Sequence, residues 1–318
     1  MQAAVAAAFL SGWAAGTQAA PGMDDLWRVL QEKNVSFESN AVVTAALQGA
    51  VASIDPRARI LSSDEARSFL EGRTIQASED LGEEIGYLKM GGVFPNGGAD
   101  VARTLGDWAT GGVYGVIMDL RSAGGGNLDA IDSIAGAVGA GEPAQYQIKD
   151  GRGETVETHR PRAGSPSWVA KPLMLLVDKS TTDGSELLAA LLKTCPGVML
   201  LGTPTAGDAS VREILRLSET HSLYMRTRRA VVPGGTPYDS KGVQPDVVVE
   251  KSDRAVSVTG SGDADRKQST KARMDAKLME RVAKDAVLAR ATDILLGLKA
   301  LDHHGSEAAT NLTGSAGM

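Results

Sequence analysis

The chain of 318 residues is short of cysteine, of aromatic side chains and of positive charge, and each shortage narrows what it can be. Its one cysteine, Cys195, rules out an internal disulfide. That residue follows the apolar run Leu187–Leu192, where a buried thiol is the ordinary reading and a reactive nucleophile the rarer one. Aromatics make up only 4% of the chain, so the core must rest on Ala, Val, Leu and Ile. A net charge of −6 leaves no basic face of the kind a nucleic-acid partner needs. The four histidines, His159, His221, His303 and His304, show no metal-ligand spacing, and no pattern calls for a cofactor. No apolar run is long enough to span a membrane as a helix.

Hydrophobic residues at 42% and charged residues at 23% are those of an ordinary globular protein. Ala3 to Ala15 form a small-residue apolar run, and Thr17-Gln18-Ala19-Ala20 offers a cleavage point before Pro21. Residues 1–20 therefore read as a signal peptide, and the mature protein as exported, periplasmic or extracytoplasmic, although no Lys or Arg precedes the run. A helical N-terminus of a cytoplasmic protein is the alternative.

Residues 21–84 read as a helical segment. Asp24–Lys33 is amphipathic, Asn40 can cap Ala41–Ser53, and Ser63 precedes a helix over Asp64–Leu70 that Gly72 closes. Residues 85–251 read as an α/β core. Val113–Leu120 and Lys171–Val177 are near-continuous apolar runs, as strands buried on both faces require. Helical patterns over Ala99–Ala109, Leu128–Val138 and Gly184–Lys193 separate the strands, and Asp150-Gly151 marks a hairpin. Residues 252–271, rich in Ser, Asp, Gly and Lys, read as a flexible linker. Residues 272–302 have helical periodicity and 303–318 read as a disordered tail.

Five segments carry a resemblance: Ala46–Pro56, Val116–Gly126, Asp178–Leu192, Gly202–Val211 and Lys241–Asp246. In this order they resemble the C-terminal processing (tail-specific) serine peptidases. Lys241-Gly242-Val243-Gln244-Pro245-Asp246 is similar to that family's Lys-Gly-(Ile/Val)-x-Pro-Asp signature almost residue for residue. The resemblance implies a tail-specific-protease (ClpP/crotonase-like) core sheet flanked by helices. It implies the branch without a PDZ domain, since about a dozen residues separate Gly72 from Ile85, far below the roughly 50 that a domain needs. It also implies a polypeptide partner bound at its C-terminus, with a homodimer through the C-terminal helix as an alternative.

In active relatives a serine at a helix start attacks the peptide carbonyl and a neutral lysine takes its proton. Setting Ser185-Glu186 on the family's Thr-Ala-Ser-Ala-Ser-Glu segment puts Asp183 where the nucleophile stands. Setting Gly202–Arg212 on the lysine segment puts Asp208 at the lysine and Arg212 at the glutamine that orients it. The 25 residues from Asp183 to Asp208 preserve the family's spacing. The oxyanion donors correspond to the Gly125 and Gly184 backbone amides, and such donors alone supply only part of a rate enhancement. The resemblance thus implies a serine-type peptidase whose dyad is absent, a pseudoprotease keeping at most a peptide-binding groove. A working peptidase with a non-standard nucleophile and an assembly subunit are the alternatives.

For the substituted positions several arrangements stay open. Asp183 and Asp208 could share a proton, hold a metal, or pair with Arg212. Asp183-Gly184-Ser185-Glu186 also reads as a capping box, with the helix dipole keeping Asp183 ionised. The hydroxyls of Ser180, Thr181, Thr182 and Ser185 lie nearby, with no Lys or His at the base position. Gly124-Gly125-Gly126 fails the dinucleotide spacing because Asp129 occupies the third position, and Arg226–Arg229 suits a solvated hairpin face.

Overall fold

A computed structural model describes residues 21–82, 84–139, 145–162, 168, 171–233, 238–250 and 281–314. The leader at 1–20 and the linker at 252–271 lie outside the described residues. The chain divides into two units, Met1–Ala50 and Val51–Met318.

The first unit holds helix α1 (Met23–Glu32) and most of α2 (Ser39–Ile54). The Gly22 amide donates to the Asp25 carboxylate at 3.0 Å and fixes the start of α1, and Trp27 stacks on Phe37 at 5.0 Å. Neither helix has a buried residue.

The second unit is built on a six-stranded sheet. Its strands are β2 (Ile75–Asp80), β3 (Ile85–Met90), β5 (Gly115–Asp119), β9 (Leu173–Val177), β10 (Val198–Gly202) and β13 (Val247–Val248). They lie in the order β13-β10-β9-β5-β3-β2, parallel except for β2 at the edge. Every residue of β5 and β9 is buried, which is why both read as unbroken apolar runs. Period-two alternation sorts their side chains onto two faces. Val116, Met118, Leu173, Leu175 and Val177 pack beneath helices α4 (Gly97–Thr110), α5 (Leu128–Val138) and α6 (Asp183–Leu192). Ile117, Met174, Leu176 and Leu201 pack on the other face against Val287, Leu288, Ala291 and Leu295 of helix α7 (Ala286–Gly314). The approach is close: a Cβ on Gly115 of β5 would lie 2.6 Å from Leu295. Helix α7 continues through Gly314, so the chain past residue 302 is helical where the composition suggested a disordered tail.

A second, antiparallel sheet leans on the first. Its long strand β12 (His221–Val231) pairs on one edge with β1 (Arg59–Ser62) and β7 (Tyr146–Lys149), and on the other with β11 (Ser210–Arg216). Strand β8 (Thr155–His159) completes it beyond β7, and the Asp150-Gly151 turn joins that hairpin as its sequence suggests. Helix α3 (Ser63–Leu70) covers one end, with Ala66 and Phe69 against Leu61, Tyr224 and Ile214. Its cap is Ser62, one residue earlier than expected, and Ser62 and Glu65 bond each other's amides at 3.3 and 2.8 Å. The stretch between Gly72 and Ile85 is taken up by β2. A separate two-residue ladder pairs β4 (Gly92–Val93) with β6 (Gly124–Gly125). Among the described residues no helix is long and apolar enough to cross a membrane.

Candidate active site

The turn between β9 and α6 is stitched to the end of β5. Thr181 is fully buried; its hydroxyl donates to Leu120 O at 2.9 Å and accepts from the Asp178 amide at 3.1 Å. The Thr182 amide donates to Ala123 O at 3.0 Å. Asp183 then opens α6 with a left-handed backbone, φ +54°, uncommon for any residue but glycine. Gly184 must be glycine, because a Cβ there would meet Gly126 Cα at 2.5 Å. Gly125 must be glycine too, with φ +74° and Val93 O at 2.7 Å from a built Cβ. Among the described residues the Gly184 amide donates no hydrogen bond.

Thr182, not Asp183, is the N-cap of α6, and no side chain caps the helix. The capping-box reading of Asp183–Glu186 is therefore corrected. The left-handed turn aims the Asp183 carboxylate away from the amides it would cap and toward Arg212. Ser185 donates its hydroxyl to Gly124 O at 2.6 Å, holding the glycine turn. Glu186 is fully buried and faces the loop before β11. It accepts from the Thr205 hydroxyl, from the Gly207 amide at 2.7 Å and from the Asp208 amide at 2.8 Å. Burial pushes the Glu186 carboxyl up, against the pull of these three donors. Thr205 in turn accepts from the Val243 amide at 2.7 Å, and the Ser240 amide donates to Gly207 O at 2.7 Å. The Lys241–Asp246 segment is thus the backing of the Asp208 loop. Asp246 anchors its far end through the Leu200 amide at 2.9 Å and Lys193 at 2.8 Å.

Arg212, on β11 beside a bulge at Val211/Arg212, draws together with itself the other two expected site residues, Asp183 and Asp208. Its guanidinium donates to Asp183, to Asp208 Oδ2 at 2.8 Å, and to both oxygens of Asp55 at 3.1 and 3.3 Å. Arg212 and Asp55 are each only 3% exposed at the side chain. Asp55 also accepts from the Arg226 amide at 2.9 Å and the Arg57 amide at 3.1 Å. The Arg57 side chain lies 3.6 Å from Asp183 and 3.4 Å from Asp208. Three carboxylates therefore share two guanidiniums, one negative charge in surplus.

The surplus falls on Asp183. Burial works against ionisation of all three acids. For Asp55, hydrogen bonds from Arg212 and from the Arg226 and Arg57 amides outweigh it and hold the carboxyl below its ordinary range. Bonds from Ser210 and Arg212 do the same for Asp208. For Asp183, burial wins over Arg212 and Arg57, with Asp208 adding repulsion, and the carboxyl is pushed up. Burial thus opposes the ionised form of Asp183 that the helix dipole was expected to favour. Arg212 itself is held more firmly charged by its three acids, although burial opposes this.

Asp183, Arg212 and Gly125 line one cleft of about 490 Å³ between the antiparallel sheet and the starts of α5 and α6. One end is apolar, with Phe69, Val93, Phe94, Ile214 and Tyr224; the other is charged, with Glu157, His159, Glu213 and Arg228. Among the described residues no cluster of three or more His, Cys, Asp or Glu could hold a metal ion. The acids at Asp183 and Asp208 are instead spoken for by arginine. Asp55 and Arg57 were not foreseen as site residues. Asp55 closes the Ala46–Pro56 segment, which was a signal in hand, whereas Arg57 carried none. Cys195 is buried, and burial raises its pKa, which disfavours the reactive thiolate.

A parallel sheet between helical layers, with a glycine turn and a helix start facing one cleft, is the frame of a processing peptidase. The chain belongs to peptidase family S41, a sequence model of which matches residues 84–249. It is 29% identical over 171 residues to carboxyl-terminal-processing peptidase 2, chloroplastic, of Arabidopsis thaliana, covering 53% of this chain and 32% of that protein. It is 28% identical over 170 residues to a carboxyl-terminal-processing protease of Synechocystis sp., covering 54% and 39%. The chain thus spans about a third to two fifths of the length of these relatives. Among solved structures, a lipoprotein from Streptococcus agalactiae superposes with a TM-score of 0.53 at 20% identity, covering 74% of this chain and 86% of that one. That likeness is one of fold.

Proposed function

We propose that this chain is a non-hydrolytic member of its family that keeps a peptide-binding cleft, with Asp183, Asp208 and Arg212 standing where the family has its nucleophile, base and orienting residue. The observation that carries this reading is the Arg212 guanidinium bonded to Asp183, Asp208 and Asp55 at once. Acyl transfer needs a nucleophile that can lose a proton and a neutral base to take it. Asp183 offers a carboxylate, a poor nucleophile toward an amide, and its attack would give an anhydride. Asp208, held ionised by Ser210 and Arg212, has no neutral amine to offer. Arginine does not deprotonate in proteins. The nearby hydroxyls are also engaged, Ser185 on Gly124 and Thr181 on Leu120.

The left-handed backbone at Asp183 supports the placement. A residue held in that region at a strand-to-helix turn is the strained geometry on which exposed nucleophiles are presented. The free Gly184 amide beside Gly126 suits an oxyanion donor that has outlived its reaction. Peptide binding is supported by β11, which among the described residues pairs with β12 alone and lines the cleft with Val211–Ile214. An extended chain can add to such an edge and place alternate side chains in the cleft.

The test has two arms. Unstructured casein should survive incubation with the protein, while C-terminal peptides bind it in fluorescence anisotropy. Turnover of casein that is lost in Ser185→Ala or Thr182→Ala would overturn the inactive reading. Asp183→Ser combined with Asp208→Lys and Arg212→Gln should create labelling by a serine-reactive probe, and a folded but unlabelled triple variant counts against the assignment of these positions.

A further inference from the structure

The charged end of the cleft holds a group that the proposed function does not use. His159, on β8, sets each ring nitrogen against a carboxylate: Nδ1 lies 2.9 Å from Asp132 Oδ2 and Nε2 lies 3.1 Å from Glu157 Oε2. A neutral imidazole carries one N–H and can donate to only one of them. The other contact would then set a nitrogen lone pair against a carboxylate. Only the imidazolium satisfies both, and it has a fixed place in the fold.

Every element around the ring contributes. Helix α5 supplies Asp132, and Asp129 in its first turn lines the cleft. Strand β7 supplies Tyr146, stacked on the imidazole at 4.6 Å and 13°, its hydroxyl donating to Asp132 at 2.8 Å; Lys149 ends the same strand. Strand β8 supplies Glu157. Strand β12 supplies Arg228, which bonds Glu157 and, at 2.8 Å, Glu213 of β11. Burial alone would favour the neutral ring, but Asp132 and Glu157 outweigh it and raise the His159 pKa. Strand β8 has only β7 as a partner among the described residues, and residues 155–158 are exposed.

We propose that His159 is a proton-operated latch: charged, it ties edge strand β8 to helix α5 through Asp132, and neutral, it lets that tie go. The proton that leaves is the one on Nδ1, which then turns a lone pair to Asp132 Oδ2, while Nε2–H stays on Glu157 within β8. Asp132 keeps the Tyr146 hydroxyl as its donor. Because the folded state raises the pKa, the latch's contribution is full below about pH 6.5 and is lost as pH rises through the folded value. The latch is made of the protein's own groups and stands whether or not the cleft takes a peptide.

The experiment is a pH titration of the histidine ring signals by NMR on the full chain, joined to amide exchange in β8. His159→Gln identifies the His159 signal and serves as the unlatched reference; exchange is read as the ratio of variant to wild type, which cancels the intrinsic base dependence. The expected result is a His159 midpoint above 6.5. The β8 ratio should be about tenfold or more below that midpoint, falling toward one above it. Asp132→Asn should lower the midpoint, and it keeps the test open if His159→Gln fails to fold. A midpoint at or below 6.5, a midpoint unmoved by Asp132→Asn, or a ratio flat across pH overturns the latch.

Discussion

Two arginines, Arg212 buried at the side chain and Arg121 partly buried, organise this protein under different charge balances. Arg121 sits at the end of β5 between Asp119 and Asp285, bonding both oxygens of each carboxylate at 2.7 to 2.9 Å. Lys89 stands 3.2 Å from Asp119, so two acids meet two cations. Arg121 and Lys89 hold Asp119 ionised against its burial, and Arg121 and the Leu288 amide do so for Asp285. Arg212 serves three acids with only Arg57 to help, and there one carboxyl rises. Each group has a deeply buried acid, Asp119 in one and Asp55 in the other. The balanced group behaves as a clamp between β5 and the start of α7, whereas the unbalanced one keeps a member poised to take a proton.

The largest effect expected from breaking this contrast is at Arg212. Arg212→Met strands three carboxylates on Arg57 alone and should cost about 3–5 kcal/mol in denaturant unfolding. Arg121→Met also strands acids, but Asp285 is 28% exposed and Lys89 still faces Asp119. Its cost should be smaller, about 2–3 kcal/mol, and amide exchange should rise first in α7 rather than across the sheet. Equal destabilisation by Arg121→Met and Arg212→Met would erase the distinction.

Asp183→Asn gives the smallest and most telling change. Removing the surplus charge should stabilise the protein at pH 7, by about 1 kcal/mol or less. Since the folded state raises the Asp183 pKa, the wild type's deficit should vanish as pH falls below the ordinary aspartate value of about 3.8. Asp208→Asn runs the other way. The stability Asp208 contributes is present at neutral pH and lost as pH falls through its lowered folded pKa. Parallel unfolding curves of the two variants between pH 3 and pH 7 would read both signs, and equal pH profiles would sink the charge-surplus account.

Much of this was legible in the sequence, for physical reasons that differ by region. β5 and β9 announced themselves because a strand buried on both faces must be apolar at every position. The helical pattern over Leu128–Val138 was readable, and Asn127 caps that helix by accepting from the Ala130 amide at 2.9 Å. β2 and β11 were not, since their burial is partial and their residues mixed. At the site, preserved spacing named Asp183, Asp208 and Arg212, and the fold brings them into contact. Asp55 reaches Arg212 across 157 residues of sequence, and no local pattern reports such a bond. The capping-box reading failed because spacing predicts which amides are near while a left-handed backbone decides where the side chain points.

The seat of α7 on the central sheet carries a consequence for how the protein is made. Ile117, Met174, Leu176 and Leu201 form one face of that sheet, and the helix that covers them follows the last strand in the chain. During synthesis every strand of the sheet leaves the ribosome before its cover does. A nascent chain stopped near residue 250 would hold a complete sheet with one bare apolar side, a target for chaperones and a risk for aggregation until the helix arrives.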